Sequence, residues 1–216
     1  MQPSAAAHEA EYHLPHHFST PEAHNHAVRL GMWLFLATEI LLFAGLFVAY
    51  FVYRGYFPEA FIQGAKHLDL WAGTTNTVIL ITSSLTVALA HHYAHTGRNR
   101  TAGWLLLVSI LFGLVFLVIK GIEYHHKFQE GALPWHYTYS EVTVPGAALF
   151  YTIYFFTTGL HALHVCIGLG VLTWIMVRCF KNEFSAQYYA PVELGGLYWH
   201  LVDLVWIFLY PLLYLV

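Results

Sequence analysis

The chain has 216 residues, of which 58% are hydrophobic, 18% are aromatic and only 10% are charged, and its formal net charge is −3. Soluble domains carry about 25% charged residues, so this composition excludes an ordinary soluble enzyme, and the slightly acidic balance gives no reason to expect a nucleic-acid partner. The composition instead predicts an integral membrane protein.

Five apolar runs are each long enough to cross the roughly 30 Å of membrane hydrocarbon as a helix. Residues 40–48 are continuously apolar and lack the alternation of a transmembrane β-strand. The predicted fold class is therefore all-α, an integral membrane bundle of five transmembrane helices. The predicted spans are Leu30–Tyr53, Thr75–Ala94, Gly103–Ile119, Gly146–Val177 and Gly195–Leu215.

The N-terminal segment is polar and carries six of the sixteen histidines. It contains no apolar signal-peptide core. The sequence thus predicts two regions, a solvated His-rich tail over residues 1–28 and a five-helix transmembrane domain over residues 29–216. A metal-binding role for the tail is the alternative.

Basic residues between the spans indicate the orientation, because Lys and Arg are retained on the cytoplasmic side. One side would hold Arg29, Arg98, Arg100, Arg178 and Lys181. The other side has about as many basic residues but more acidic ones. The N-terminus is therefore predicted to be cytoplasmic and the C-terminus to lie outside.

Several ionisable groups fall inside the apolar spans, where a charge costs at least about 2.5–3.5 kcal/mol. Such side chains are expected to face the bundle interior and to pair there. The second span adds an amide and hydroxyls that are able to hydrogen-bond across helices. The predicted buried polar centre consists of Glu39, His161, His164, His200 and Asp203, and the polar face of the second span of Asn76, Ser83 and Ser84.

Each of these groups has more than one interpretation. Glu39 is either a neutral carboxyl that donates a structural hydrogen bond or a proton-linked group. His200 and Asp203 lie three apart on one helical face, which favours an interhelical polar clasp over catalysis. Haem or metal ligation by His161 and His164 stays open, since neutral imidazole is a common ligand. Two histidines at this spacing on one helix cannot both be axial ligands of one iron.

Motifs of soluble catalysis are absent from the sequence. There is no glycine-rich phosphate loop, no nucleophile elbow and no cysteine-pair zinc spacing. We therefore predict no catalytic residue and no metal ligand in this chain, which favours a supporting subunit.

Five sequence blocks, one per predicted helix, resemble subunit III of the haem-copper cytochrome c oxidases, and they occur in the family's order. The third block contains a motif of Lys120, Glu123 and Tyr124 at the outer end of its helix. The resemblance extends over about residues 29–216. The blocks are WLFLATE (33–39), NTVILITSS (76–84), residues 113–124, FFTTGLHALHV (155–165) and YWHLVD (198–203).

This resemblance implies a subunit without redox cofactors, docked against catalytic subunit I, which holds the haems and copper. Subunit II and a small subunit IV are further candidate partners, and phospholipid is a candidate bound ligand. In the family the subunit stabilises subunit I during turnover and supports proton uptake. Glu39 is similar to the family's membrane-embedded, carbodiimide-sensitive glutamate. Five helices, where many members have seven, favour a bacterial cytoplasmic membrane.

Other functions remain as alternatives. A haem-binding membrane anchor of a quinone oxidoreductase would require transmembrane histidine pairs from facing helices. A proton-coupled transporter would use Glu39 and Asp203 as its relay, although five helices offer no inverted repeat. An accessory protein of nitric-oxide reductase would belong to the same family as the oxidase subunit.

Overall fold

The computed structural model describes residues 20–134, 136–185 and 188–216. Five of the helices in these residues are long and apolar enough to cross a membrane, so the predicted five-helix bundle is confirmed. A two-stranded antiparallel ladder of two residues per strand is a small exception to the all-α class. The elements are α1 (Pro21–Tyr56), α2 (Pro58–Lys66), α3 (Leu70–His95), α4 (Asn99–Gln129), β1 (Ala132–Leu133), β2 (His136–Tyr137), α5 (Ala147–Phe180) and α6 (Ala190–Tyr214).

The transmembrane helices extend beyond most of the predicted ends, because polar residues continue a helix outside the hydrocarbon. α1 begins after Thr20, whose hydroxyl caps the helix by accepting from the Ala23 N–H at 3.2 Å. Residues 21–28, which the sequence groups with the polar tail, are therefore helical. The tail histidines His8, His13, His16 and His17 lie outside the described residues.

Helix α2 was missed in the sequence, because nine residues are too few for a membrane-span signal. It lies against the bundle through Phe61, whose ring meets Tyr50 at 5.1 Å and Phe150 at 5.3 Å between centroids. A Cβ at Gly64 would lie 2.2 Å from the Phe150 ring, so only glycine allows this approach. We call the end of the bundle that carries α2 and the β ladder the α2 end.

The centre of the bundle is built around the indole of Trp199 on α6. Its N–H donates to Ser83 on α3 at 3.1 Å. On α4 and α5, Gly113 and Gly168 leave room for the ring, because a Cβ would lie 2.9 Å and 2.8 Å from it. Four helices thus converge on one side chain, which fixes their relative rotation.

Helix α1 lies at the edge of the bundle against α5 and α6. Polar contacts attach it along its length: Arg29 pairs with Glu193 at 3.0 Å, and the Tyr50 hydroxyl donates to the Leu212 carbonyl. Much of its remaining apolar surface is exposed, and such a surface suits either lipid or a partner's transmembrane helix. Exposed side chains on α1 include Leu30, Trp33, Leu34, Ile40, Leu41 and Val48.

Candidate functional site

Glu39 on α1 and His164 on α5 are joined inside the membrane, with 2.8 Å between Oε2 and Nε2. The other ring nitrogen of His164, Nδ1, lies 2.8 Å from the carbonyl oxygen of Leu160. A carbonyl only accepts, so Nδ1 carries a proton and donates it. The contact between Nε2 and Oε2 then requires one further proton, which is held either by the carboxyl or by the imidazole.

This pair is electrically neutral as a whole wherever the bridging proton resides. Loss of that proton would leave a carboxylate and a ring nitrogen facing each other as two acceptors. The side chains of Glu39 and His164 are only 16% and 10% exposed. The edge of the Phe43 ring packs against the imidazole at 5.1 Å, and the Tyr198 hydroxyl donates to the His164 carbonyl at 3.3 Å. The contact therefore takes one bridging proton between α1 and α5, at the edge of the bundle.

His161 packs toward α4 and α6 instead. Its ring stacks on Trp206 with 5.3 Å between centroids and meets the edge of Phe116 at 5.5 Å. It is completely buried, and neither ring nitrogen has a hydrogen-bond partner in the described part of the chain. The structure therefore places His161 apart from the contact between Glu39 and His164.

His200 on α6 contacts Ser84 on α3, with 2.7 Å between Nδ1 and the serine Oγ. Asp203 is buried, and its Oδ1 has no hydrogen-bond partner among the described residues. Of the five residues in the predicted polar centre, only Glu39 and His164 are hydrogen-bonded to each other within the described ranges.

The polar face of the second span is divided among several contacts. Ser83 accepts from the Trp199 indole and donates to the Ser109 carbonyl at 3.2 Å. Ser84 contacts His200 as above. The Asn76 amide is completely buried, and neither of its polar atoms has a partner in the residues described. Ser83 and Ser84 therefore hold α3 to α4 and α6, whereas Asn76 makes no such contact among the described residues.

Lys120 and Glu123 form a buried network near the α2 end. Lys120 Nζ donates to Glu123 at 3.1 Å, to the Tyr154 hydroxyl at 3.2 Å and to the Tyr214 hydroxyl at 2.6 Å. Both tyrosine hydroxyls in turn donate to Glu123 Oε1 at 2.6 Å. Tyr124, the third residue of this sequence motif, shares a hydrogen bond with Thr158. The network ties together α4, α5 and α6.

Tyr154 and Tyr214 were not singled out in the sequence. The available signal was a phenol in each of two apolar spans, since a buried tyrosine hydroxyl usually finds a polar partner. Beyond the spans, Lys127 pairs with Glu130 at 2.5 Å and lies over the Tyr139 ring. Burial, and then the charges of Glu130 and Glu141, raise the pKa of Tyr139.

The sequence model of the family described as cytochrome c oxidase subunit III matches residues 6–216. The chain belongs to the cytochrome c oxidase subunit III family. Cytochrome c oxidase subunit 3 of Coturnix japonica is 31% identical over 207 residues, which cover 92% of this chain and 72% of that protein. Cytochrome c oxidase subunit 3 of Corynebacterium diphtheriae is 31% identical over 191 residues, which cover 88% of each chain.

Membership of the subunit III family, together with five membrane-spanning helices, makes this chain a multi-pass membrane protein and a subunit of a haem-copper oxidase. A subunit III works in a complex with the other oxidase subunits. The family match therefore favours this function over a haem-binding anchor of a quinone oxidoreductase and over a proton-coupled transporter.

Members of the subunit III family generally have no metal centre of their own. Among the residues that the structure describes, no group of three or more His, Cys, Asp or Glu side chains is arranged to hold a metal ion. Both nitrogens of His164 are engaged, by Leu160 and by Glu39. Haem ligation by His164 would require breaking the contact with Glu39.

Proposed function

We propose that this chain is a non-catalytic accessory subunit of a respiratory cytochrome c oxidase. It would stabilise catalytic subunit I and support proton uptake while that subunit reduces oxygen, with subunit II and a small subunit IV as further partners. The haems and copper would belong to those partners. The observation that carries the proposal is the contact between Glu39 and His164, which a single bridging proton completes. Glu39 lies on α1, whose outer face is largely exposed.

The position of Glu39 supports this function. It lies on α1, the helix that leaves most of its apolar surface exposed, and its carboxyl is not completely enclosed by the bundle. A transmembrane helix of subunit I packed on this face would cover the site and shield it from lipid. The protonation of Glu39 and His164 would then affect the interface with the catalytic subunit.

The proposed location is the cytoplasmic membrane of a bacterium, with the N-terminus of α1 on the cytoplasmic side. Support comes from the basic residues at the ends of the helices. Arg98 and Arg100 are exposed at the junction of α3 and α4, on the same side as Arg29. Proton uptake for oxygen reduction would occur on that side.

Purification of the chain from its native membrane in mild detergent tests the proposal. Mass spectrometry and a reduced-minus-oxidised spectrum would identify the subunits that accompany it. We expect a haem-copper oxidase subunit I, with the haem assigned to that subunit. Co-purification of a nitric-oxide-reductase catalytic subunit would favour the related accessory protein, and a lone chain with its own haem would overturn the proposal.

A second measurement tests the supporting role. Oxidase prepared without this chain should lose activity sooner during continuous turnover than the complete complex. Adding back the chain should restore the catalytic lifetime. An unchanged lifetime and an unchanged rate of proton uptake after its removal would contradict the role.

A further inference from the structure

A cavity of about 360 Å³ opens at the α2 end, between the turn that joins α2 to α3 and the last turns of α4. It is distinct from the contact between Glu39 and His164. Its walls are polar, and its floor is apolar where Ile119 and Ile122 contribute. The polar side chains that line it include Lys66, His67 and Asp69 on one wall and His126, Lys127 and Glu130 on the other.

The fixed charges around this cavity are balanced. Glu123, which also lines it, is neutralised by Lys120, and Lys127 is paired with Glu130. The remaining charged groups of the lining are the ammonium of Lys66 and the carboxylate of Asp69. A ligand with no net charge is therefore favoured over an anion or a cation, because either would face uncompensated repulsion.

Hydrogen-bonding capacity remains on both sides of the cavity. The Lys66 side chain makes no hydrogen bond to the residues that the structure describes, and His67 uses only Nδ1, toward the Gln63 carbonyl at 2.8 Å. Asp69 accepts from the Ala72 N–H through Oδ1 at 3.1 Å, so Oδ2 is available to accept from a ligand. Glu130 accepts from Lys127 through Oε2, so Oε1 is also available. A complementary ligand carries an anionic oxygen group and an N–H cation close together.

An exposed apolar stripe on α4 leads away from the cavity. Its four side chains follow helical spacing over 11 residues, or about 16 Å along the helix axis, and are 45–61% exposed. Trp71, on the first turn of α3, is 82% exposed, as is typical of the membrane interface. The cavity therefore lies at headgroup depth, with hydrocarbon below it. The stripe consists of Ile122, Val118, Val115 and Leu111.

We propose that this cavity binds the headgroup of a phospholipid of the phosphatidylethanolamine class, with an acyl chain along the stripe on α4. Lys66 donates to the phosphate, while Asp69 and Glu130 accept from the ethanolammonium. Phosphatidylglycerol would bring a net negative charge to these carboxylates. Phosphatidylcholine has no N–H to donate. A soluble phosphate ester such as phosphoethanolamine has the same headgroup chemistry but cannot use the stripe.

Native mass spectrometry of the full chain, purified with its accompanying subunits in mild detergent, tests the proposal. After partial delipidation, equal amounts of dioleoyl phosphatidylethanolamine, phosphatidylglycerol and phosphatidylcholine are added. We expect preferential retention of phosphatidylethanolamine, and a loss of about fivefold in the Lys66→Ala variant. The matched control is Lys181→Ala, which removes an exposed lysine from the opposite end of the bundle and should retain the lipid.

Asp69→Asn provides a second variant, because the amide oxygen still caps α3 while the charge is removed. It should weaken phosphatidylethanolamine binding without strengthening that of phosphatidylcholine. Equal retention of the three lipids, or unchanged binding in Lys66→Ala, would overturn the proposal. Displacement of the lipid by phosphoethanolamine at the same concentration would overturn the lipid as the ligand. None of these results depends on which catalytic subunit accompanies the chain, so they are separate from the test of the proposed function.

Discussion

The imidazole of His164 is oriented by its own helix. Its Nδ1–H donates to the Leu160 carbonyl on the preceding turn, so Nδ1 carries a proton whether or not Glu39 is protonated. Nε2 is then directed at Glu39 on α1, and the contact requires one proton, on either the ring or the carboxyl. Any side chain at position 39 that reaches Nε2 with a proton preserves the contact, whether or not it carries charge.

Glu39→Gln should therefore leave the stability of the protein nearly unchanged, because the amide donates to Nε2 as a protonated carboxyl does. Glu39→Leu removes the hydrogen bond and should cost about 0.6 kcal/mol and at most about 1.7 kcal/mol, the mean and the maximum for interhelical hydrogen bonds in membranes. Thermal unfolding of both variants in one detergent checks this difference. Equal destabilisation by the two substitutions would show that the hydrogen bond is not what holds Glu39.

For individual residues, the sequence predicts burial better than it predicts contact partners. The cost of a charge in hydrocarbon indicated that Glu39, His161 and His164 face inward. Depth in the membrane defines only the height of a residue, whereas pairing depends on helix rotation. Trp199 and its glycine neighbours set that rotation through contacts between distant parts of the chain. His161 and His164 were therefore equally good candidates for the contact with Glu39.

Close approach of α5 to α6 depends on a missing side chain at Gly168. A Cβ there would lie 2.8 Å from the Trp199 ring, whereas nothing lies within 4 Å of a Cβ at Gly170 on the same helix. Gly168→Ala should therefore destabilise the bundle by about 1–3 kcal/mol through overpacking. Gly170→Ala is the matched control and should be neutral or slightly stabilising, because alanine favours helix. Unfolding midpoints that shift equally would contradict this packing.

The buried network of Lys120 and Glu123 also holds α4, α5 and α6 together. Lys120→Met would leave the Glu123 carboxylate buried without its cation, and breaking such a pair costs about 3–5 kcal/mol. Glu123→Gln added to that variant should recover much of the loss, since it removes the stranded charge. A double-mutant cycle on unfolding free energies measures this coupling. Additive effects of the two substitutions would show that Lys120 and Glu123 act independently.

Helix length accounts for what could be predicted about the elements. Apolar runs of about 20 residues identified all five spans, but hydropathy ends where polar side chains begin. α4 therefore continues ten residues beyond the predicted end at Ile119, through Lys120 and Glu123. α2 lay below the length that hydropathy detects. Tyr154 and Tyr214 are joined to Glu123 from helices far apart in the sequence, which no local pattern predicts.

For the molecule as a whole, the structure changes how the basic residues are counted for orientation. Lys120 is buried within α4 and bound to Glu123, so it is not a loop charge. Lys127 is also in α4 and is paired with Glu130. The α2 end then presents Arg54 and Lys66. The opposite end has the larger set, which consists of Arg29, Arg98, Arg100, Arg178 and Lys181.

This difference predicts that the α2 end faces outward and the α3–α4 junction faces the cytoplasm, because loop Lys and Arg are retained inside. Labelling with a membrane-impermeant maleimide checks it in a Cys166→Ala background, with Cys179 left in place because it is fully buried. A Glu141→Cys variant, in the exposed loop before α5, should react in intact cells. A Lys181→Cys variant, at the other end of α5, should react only after permeabilisation. The reverse pattern would invert the topology and would place the tail and the α3–α4 junction outside, away from the side where protons are taken up.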